Sequence, residues 1–338
     1  MSLASTTGVG DHGHYGWAAQ WSPWGGPMAA TERETGRRRA AWLISAFALL
    51  AAIGAAGALV ARRKRASVDV STPRVSVTAN GMEYTVLGHG RKTILFIPGG
   101  PGSEIPTGGL ARRGILAQLQ PYAEAGYTVW QVCRRRNMPE GHTVADMADD
   151  YARFIRDELG GHVDIVIGES YGGMIAIYLA AEHAALIGRV VLALAAATIT
   201  ERGRELDLRW ARARAEGRFG DAGAIALEYV LPGDEMAGLR RRLGPLVGRM
   251  FASSHTPPDD LIVEAEAEAA FDAQAVLGHI AVPVLLLCGD NDQFFTPDIV
   301  RETAAGIPDC TLVWFEGMGH VRAAMSGRLP REILAWIQ

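Results

Sequence analysis

Cysteine is scarce in this chain of 338 residues, which contains only Cys133, Cys288 and Cys310. The three lie far apart in the sequence, and each is in or next to an apolar run. A disulfide framework and a cysteine-based zinc site both need closely patterned cysteines, so neither is expected. We predict three buried free thiols. They are compatible with either a reducing or an oxidising compartment, so the compartment of the protein is not determined.

An excess of charge of one sign is also missing. The chain has 33 lysines and arginines against 37 aspartates and glutamates, a formal net charge of -4 at pH 7. Proteins that bind nucleic acid through its phosphates carry a basic surface, so a nucleic-acid partner is not predicted. The sequence contains no metal-ligand cluster, phosphate-cradling loop or dinucleotide fingerprint in a supporting context, and we therefore predict no cofactor and no metal.

The N-terminal segment lacks the periodicity of a folded domain. Residues 1–40 are rich in glycine, serine and alanine near their start and show no apolar period of 2 or 3.6, so we predict a disordered tail. Met28 is an alternative start of the protein.

Residues 41–61 contain no charged side chain, and a helix of this length spans a hydrocarbon core about 30 Å thick. We predict one transmembrane helix. A cleaved signal peptide is the main alternative, but its apolar region is usually only about 7–15 residues long and lies near the terminus. Basic residues flank both ends, in 37–39 and 62–65, so the side of the membrane on which the large domain lies is not determined.

From residue 70 to the C-terminus, apolar strands alternate with helices. Asn80-Gly81 predicts a hairpin turn near the start, and Thr143 predicts a helix N-cap. Further helices are expected from Tyr171 to about residue 187, over 297–305, and at the C-terminus with Pro330 at the helix start. Buried strands are expected at 92–97, 127–132, 163–168, 189–195, 282–289 and 310–317. This alternation predicts an α/β fold with a mostly parallel, twisted sheet flanked by helices.

One segment interrupts the alternation. From about residue 200 to residue 281 the sequence is charged and favours helices, with no convincing strand. An insertion at the carboxyl end of a strand lies over the edge where open α/β sheets bind ligands. We therefore predict a helical cap over the site.

Gly168-Glu169-Ser170-Tyr171-Gly172 joins a predicted strand to a predicted helix. This Gly-x-Ser-x-Gly pattern is typical of a nucleophile elbow, a turn so sharp that it displays the serine hydroxyl above the sheet. Ser170 is the predicted nucleophile. For Glu169 we expect a structural hydrogen bond.

A serine nucleophile needs a base, and the base needs an orienting carboxylate; in this type of fold they follow the serine in the order acid, then histidine. Asp292 and His320 each follow a predicted strand, so they are expected at the same sheet edge as Ser170. Asp290 is an alternative acid. The other histidines fit this order or position less well: His12, His14, His89, His142, His162, His183, His255 and His279.

Acyl transfer also needs hydrogen-bond donors for a developing oxyanion. The backbone N–H of Tyr171, directly after the serine, is one predicted donor. The second is expected from the glycine-rich loop at residues 98–102, and Gly100 is the candidate, because glycines let the backbone come close to a substrate.

With these motifs in place, the chain from about residue 74 to residue 338 resembles an α/β-hydrolase. The GGPG sequence at 99–102 and GESYGG at 168–173 are similar to the proline-iminopeptidase branch of that superfamily. The resemblance implies a serine hydrolase with the α/β-hydrolase fold. The chain departs from the branch at Pro98, where the histidine usual in that branch is missing.

Together these features predict a membrane-anchored serine hydrolase that cleaves an ester or amide bond of a small-molecule or peptide substrate through an acyl-enzyme. Two alternatives stay open: an aminopeptidase like the proline iminopeptidases, and a non-catalytic protein that binds a ligand under its cap. The acidic cap residues Glu201, Glu205 and Glu228 could bind a substrate amine, but they are more typical of a solvated helix face.

Overall fold

The computed structural model describes residues 74–106 and 108–338. The predicted tail at 1–40 and the predicted membrane helix at 41–61 lie outside these ranges, so both stay predictions. Among the residues that are described, no helix is both long enough and apolar enough to cross a bilayer.

An eight-stranded sheet forms the centre of the domain, with the strand order β1-β2-β4-β3-β5-β6-β7-β8. β1 pairs antiparallel with β2, β2 pairs antiparallel with β4, and every other pair is parallel. The strands are β1 Arg74–Val77, β2 Glu83–Leu87, β3 Lys92–Ile97, β4 Tyr127–Val132, β5 Val163–Glu169, β6 Ile187–Ala193, β7 Val284–Gly289 and β8 Cys310–Phe315. The predicted, mostly parallel α/β sheet is confirmed.

The central strands are largely apolar because both faces of the sheet are covered. In β3, Leu95 and Ile97 pack into one hydrophobic cluster, whereas Ile94 and Phe96 pack into a second. Side chains on a strand alternate between faces, so the two clusters are the cores on either side of the sheet.

Helices connect the strands and cover the sheet. Outside the cap they are α1 Gly109–Glu124, α2 Val144–Glu158, α3 Tyr171–Glu182, α8 Pro297–Gly306, α9 His320–Ala324 and α10 Arg328–Ile337. Thr143 caps α2 through a capping box with Asp146, as expected from the sequence. The C-terminal α10 begins at Arg328, two residues before Pro330, because proline is tolerated throughout the first turn.

Two helices of the structure are absent from the sequence prediction, and one predicted helix ends earlier than expected. α1 was not expected, because it begins without a capping side chain and contains Pro121. α3 ends at Glu182 rather than near residue 187, and Ile187 already belongs to β6. The short α9, which starts at His320, was also missed, since five residues are too few for a recognisable period.

The predicted cap lies between β6 and β7. It contains α4 Glu201–Ala215, α5 Phe219–Ala226, α6 Ala237–Gly248 and α7 Pro258–Ala269. The cap has no strand, and its β-type pairing is a single bridge between Thr198 and Asp272 at its base. All three cysteines are free; Cys133 and Cys288 are buried and Cys310 is half-buried.

Candidate active site

The turn between β5 and α3 holds Ser170 in a strained backbone conformation, with φ 51° and ψ −117°. Such values are rare for a residue with a side chain and are kept only where the surroundings enforce them. A side chain on Gly168 would collide with the Gly172 carbonyl, and one on Gly172 would collide with the Ile97 carbonyl. The flanking glycines therefore allow the sharp turn that the Gly-x-Ser-x-Gly pattern predicts.

Ser170, His320 and Asp292 lie in a hydrogen-bonded row at the carboxyl edge of the sheet. His320 Nε2 is 3.0 Å from Ser170 Oγ, and His320 Nδ1 is 2.7 Å from Asp292 Oδ2. The structure thus brings together the three residues selected from the sequence. In this geometry the imidazole can accept the hydroxyl proton while the carboxylate orients the ring.

Asp292 rather than Asp290 occupies the position next to the histidine. Its side chain is fully buried, and Oδ1 accepts hydrogen bonds from the backbone N–H groups of Phe294 and Phe295 at 2.8 and 3.2 Å. Asp290 is exposed and accepts a bond from the Gly317 N–H at 2.6 Å. The two extra residues carry Asp292 beyond the strand end and under the imidazole.

His320 is 15% exposed at its side chain and is surrounded by acidic groups. Burial lowers the pKa of its imidazole, but the charge and hydrogen bond of Asp292, with Glu169 and Asp207 further away, raise it above the ordinary value of 6.5. The net direction is upward, because attraction to the carboxylates outweighs desolvation.

The two predicted oxyanion donors lie at the start of α3 and in the glycine-rich loop. Neither the Tyr171 N–H nor the Gly100 N–H donates to a protein group within the described ranges. Gly99 lies against the elbow, where a side chain would meet the Glu169 carbonyl at 2.9 Å and Ser170 Cβ at 3.0 Å. Gly100 adopts a φ of +66°, which favours glycine. Their role as donors stays a prediction.

A buried ion pair that the sequence analysis missed supports this glycine loop. Arg134 donates from its guanidinium to the carbonyls of Pro98 and Gly100 and lies 3.0 Å from a Glu264 carboxylate oxygen. Both side chains are completely buried, and the same carboxylate accepts from the Gly102 N–H. The pair therefore ties the loop to helix α7 of the cap. The run Arg134-Arg135-Arg136 resembles a solvated basic patch, so its pattern gives no signal of burial.

A cavity of about 540 Å³ extends from Ser170 and His320 up into the cap. Its lining is mostly apolar and aromatic, with contributions from Ile199, Trp210, Tyr229, Phe251, Phe294 and Phe295. Cavities of this size and character are typical of small-molecule sites.

Two cap carboxylates also line this cavity. Asp207 and Glu268 are 8% and 2% exposed, and the Tyr229 hydroxyl donates to Asp207. Burial raises the pKa of both carboxyls, and the Asp207 charge raises that of Glu268 further. Glu268 Oε2 has no hydrogen-bond partner within the described structure. This pair could not be recognised from the sequence, because isolated acids on charged helices give no sign of which face is buried.

Glu201, Glu205 and Glu228, the cap acids considered from the sequence, do not line this cavity. Glu201 and Glu205 are exposed, and Glu228 pairs with Arg209 at 3.2 Å. Glu169 accepts a hydrogen bond from the Gln118 amide.

A separate surface group could present metal ligands: Asp149, Glu182 and His183 place one ligand atom each within 4.8 Å of one another. Asp149 and Glu182 are exposed, and His183 Nε2 already lies 2.6 Å from Asp149 Oδ1. A surface ion pair explains the arrangement, and we assign no metal to it.

Comparisons with known proteins agree with this architecture. A protein of Serratia proteamaculans, RutD, whose name describes carbamate hydrolysis, is 24% identical over 203 residues, 60% of this chain and 75% of its own. Among solved structures, the enol-lactonase of Burkholderia xenovorans LB400 matches with a TM-score of 0.60 and 20% identity over 78% of this chain and 99% of its own. A thermophilic esterase of Thermogutta terrifontis matches with a TM-score of 0.57 and 20% identity over 79% and 98%.

A family model decides the assignment. The model described as the alpha/beta hydrolase family matches residues 94–332, which include the elbow, the cap, Asp292 and His320. This match is at the level of the whole family and does not single out the proline-iminopeptidase branch. The chain belongs to the alpha/beta hydrolase family.

Proposed function

We propose that the protein is a serine hydrolase that cleaves an ester or amide bond of a small molecule. The observation that carries the proposal is the hydrogen-bonded row of Ser170, His320 and Asp292 beneath an apolar cavity. Ser170 Oγ attacks the substrate carbonyl while its proton passes to His320 Nε2. His320 then protonates the leaving group, and an acyl-enzyme ester forms on Ser170.

Water completes the cycle by the same route in reverse. His320 accepts a proton from water as it attacks the acyl-enzyme, and returns that proton to Ser170 Oγ when the acid product leaves. Asp292 holds the imidazole tautomer that presents a free Nε2 and stabilises the imidazolium as it forms. The Tyr171 and Gly100 N–H groups bind the developing oxyanion, and a donor in such a position contributes about 3–4 kcal/mol to transition-state stabilisation.

A fluorophosphonate probe tests the nucleophile directly. The probe reacts with activated serines, so we expect the full chain to gain one phosphonyl adduct, and peptide mapping should place it on Ser170. Ser170→Ala should abolish labelling and turnover while the thermal unfolding midpoint stays close to that of the unchanged protein. If the folded protein remains unlabelled, the non-catalytic, ligand-binding alternative replaces this proposal.

A second candidate substrate class is supported by the cap carboxylates. Asp207 and Glu268 are buried beside the cavity, and neither forms a salt bridge with a cationic side chain of the described residues, so a substrate with a protonated amine would supply the missing positive charge. This observation favours an aminopeptidase of the proline-iminopeptidase type. The missing histidine at Pro98 and the mainly apolar lining favour an ester.

Substrate profiling separates the two. We propose comparing p-nitrophenyl esters of increasing acyl length with prolyl and other aminoacyl naphthylamides. For an aminopeptidase, Glu268→Gln should raise KM for aminoacyl substrates and leave KM for simple esters unchanged. A preference for esters, with no dependence on the amine, would exclude the aminopeptidase.

We also propose where the protein is located, from the sequence of residues 41–61. Their uncharged, apolar sequence supports a single-pass membrane anchor, with the hydrolase domain on a side that the flanking arginines leave open. An anchored protein should stay in the membrane pellet after alkaline carbonate extraction, and protease protection of sealed vesicles would identify the side. Release into the supernatant would contradict the anchor.

A further inference from the structure

Helix α6 of the cap and the turn that follows it carry two exposed apolar side chains. Leu239, Leu243 and Leu246 of α6 and Met250 in the turn after it follow one another at spacings of four, three and four residues, and we call these four residues the outer stripe of α6. Leu239 and Leu243 are half-buried. Leu246 is 55% exposed and Met250 is 62% exposed, and both are among the few large apolar side chains of the described structure that are so exposed. No residue of the stripe belongs to either hydrophobic core cluster.

Glycines on the opposite face explain why the stripe is left outside. A side chain on Gly223 of α5 would collide with the Gly244 carbonyl of α6, and one on Gly248 would collide with the Phe219 carbonyl. The two helices therefore pack backbone against backbone. Arg240, which is buried and donates to the Leu231 and Gly233 carbonyls, attaches α6 to the cap as well, and Leu246 and Met250 are left exposed.

Charge decides what kind of partner fits this face. Arg242 and Arg249 are exposed on one flank of the stripe, and the sequence of α6, AGLRRRLGPLVG, contains no acidic residue. A second copy packed on the same face would bring these arginines toward their own counterparts, which is unfavourable. An anionic lipid surface offers both partners at once, since headgroup phosphates pair with the arginines while the stripe enters the acyl boundary.

We propose that α6 is an interfacial membrane-binding helix, with its outer stripe inserted into an anionic bilayer. The α6 face itself is independent of the hydrolase chemistry, whereas reconstitution of the protein into vesicles rests on the membrane anchor proposed for residues 41–61. Phe251, the residue after Met250, lines the active-site cavity and packs edge-to-face on Trp210. Binding through α6 therefore sets one wall of the cavity next to the lipid.

Site-specific fluorescence in vesicles tests the proposal on the full chain. Met250→Cys carries an environment-sensitive label, and Cys310→Ala removes the half-buried native thiol from the background. The matched control is Ala305→Cys, an exposed position on α8 at the flank of the sheet. The protein is reconstituted into vesicles of phosphatidylcholine alone or with one third phosphatidylglycerol by design.

The expected result is a blue shift and a roughly threefold rise in emission for the label at position 250 in the anionic vesicles, with quenching by nitroxide-labelled lipid. The label at position 305 should stay aqueous. Arg242→Glu combined with Arg249→Glu, or high salt, should reverse the change at position 250, because either removes the attraction to the headgroups.

Three other results would overturn the proposal. A label at position 250 that stays aqueous in protein-bearing anionic vesicles rejects the α6 face while leaving the anchor intact. A blue shift without vesicles that grows with protein concentration, together with a doubled mass, identifies a second copy as the partner instead. Failure of the full chain to join vesicles at all rejects both the anchor and the α6 face, whereas fluorophosphonate labelling of Ser170 reports the hydrolase separately.

Discussion

Asp292 at the edge of the sheet and Glu268 in the cap are both almost completely buried carboxylates, but their surroundings differ. Asp292 contacts His320 and accepts two backbone N–H groups, so both of its oxygens are satisfied. Glu268 faces Asp207, a group of the same sign, and one of its oxygens has no partner within the described structure.

These two environments suit different roles: one carboxylate can position a neighbouring side chain, and the other can bind a ligand. A carboxylate surrounded by donors is stabilised as an anion and can orient a neighbour, which suits the sheet edge. Two carboxyls that compete for a proton have unsatisfied acceptor capacity, which suits recognition of a donor on a ligand. Rigid parallel strands hold the first arrangement, whereas the second depends on how the cap helices pack.

Of the effects expected at these buried charged groups, the largest comes from removing the charge of Asp292. Asp292→Asn should lower kcat by about 10⁴-fold, because an amide favours the wrong imidazole tautomer. The measurement is steady-state turnover of the best p-nitrophenyl ester. Asp290→Asn is the matched control and should stay within about twofold, as expected for an exposed group. A large loss in the control and none in Asp292→Asn would reverse the assignment.

The next effect concerns the ion pair that joins the sheet edge to the cap. Arg134→Met leaves Glu264 buried without its partner, so the free energy of unfolding should fall by about 3–5 kcal/mol. Urea denaturation followed by tryptophan fluorescence measures it. The double variant Arg134→Met with Glu264→Met should recover much of the loss, since no lone charge remains. If single and double variants are equally unstable, the pair is not the cause.

A smaller effect, an increase in the free energy of unfolding, is predicted when the Asp207–Glu268 pair of the cap loses one of its carboxyl groups. The raised pKa of Glu268 means that folding favours its protonated form, so stability falls as pH rises from the unfolded value near 4.5 toward the folded value. Glu268→Gln removes this cost and should stabilise the fold by about 1 kcal/mol at pH 7. Glu205→Gln, an exposed cap control, should change little. Destabilisation by Glu268→Gln would show that the pair is satisfied in the folded protein.

The smallest predicted effect is on the pH dependence of turnover. His320 must be neutral to accept a proton, and its pKa is raised, so the acidic limb of kcat/KM should lie above pH 6.5. Asp207→Asn removes one of the charges that raise this pKa and should move the limb to lower pH. A limb that is unmoved in this variant would mean that the cap acids do not act on the imidazole.

Much of the sheet could be predicted because its residues carry a local pattern. The apolar run of β3 and the Gly-x-Ser-x-Gly turn need only near neighbours to define them. α1 and α9 escaped prediction, since one lacks capping residues and contains Pro121 and the other is a single turn. The order of Ser170, Asp292 and His320 along the chain indicated that they would meet, although their catalytic roles stay predictions.

The sequence by itself determined the alternation of strands and helices, the position of the elbow and the place of the cap, because these depend on residues close together in the chain. Only the tertiary structure decided that Arg134 pairs with Glu264, that Asp207 faces Glu268, and that Leu246 of α6 is left exposed. The physical reason is that burial of a charge or a leucine depends on what packs against it, and those partners are distant in sequence.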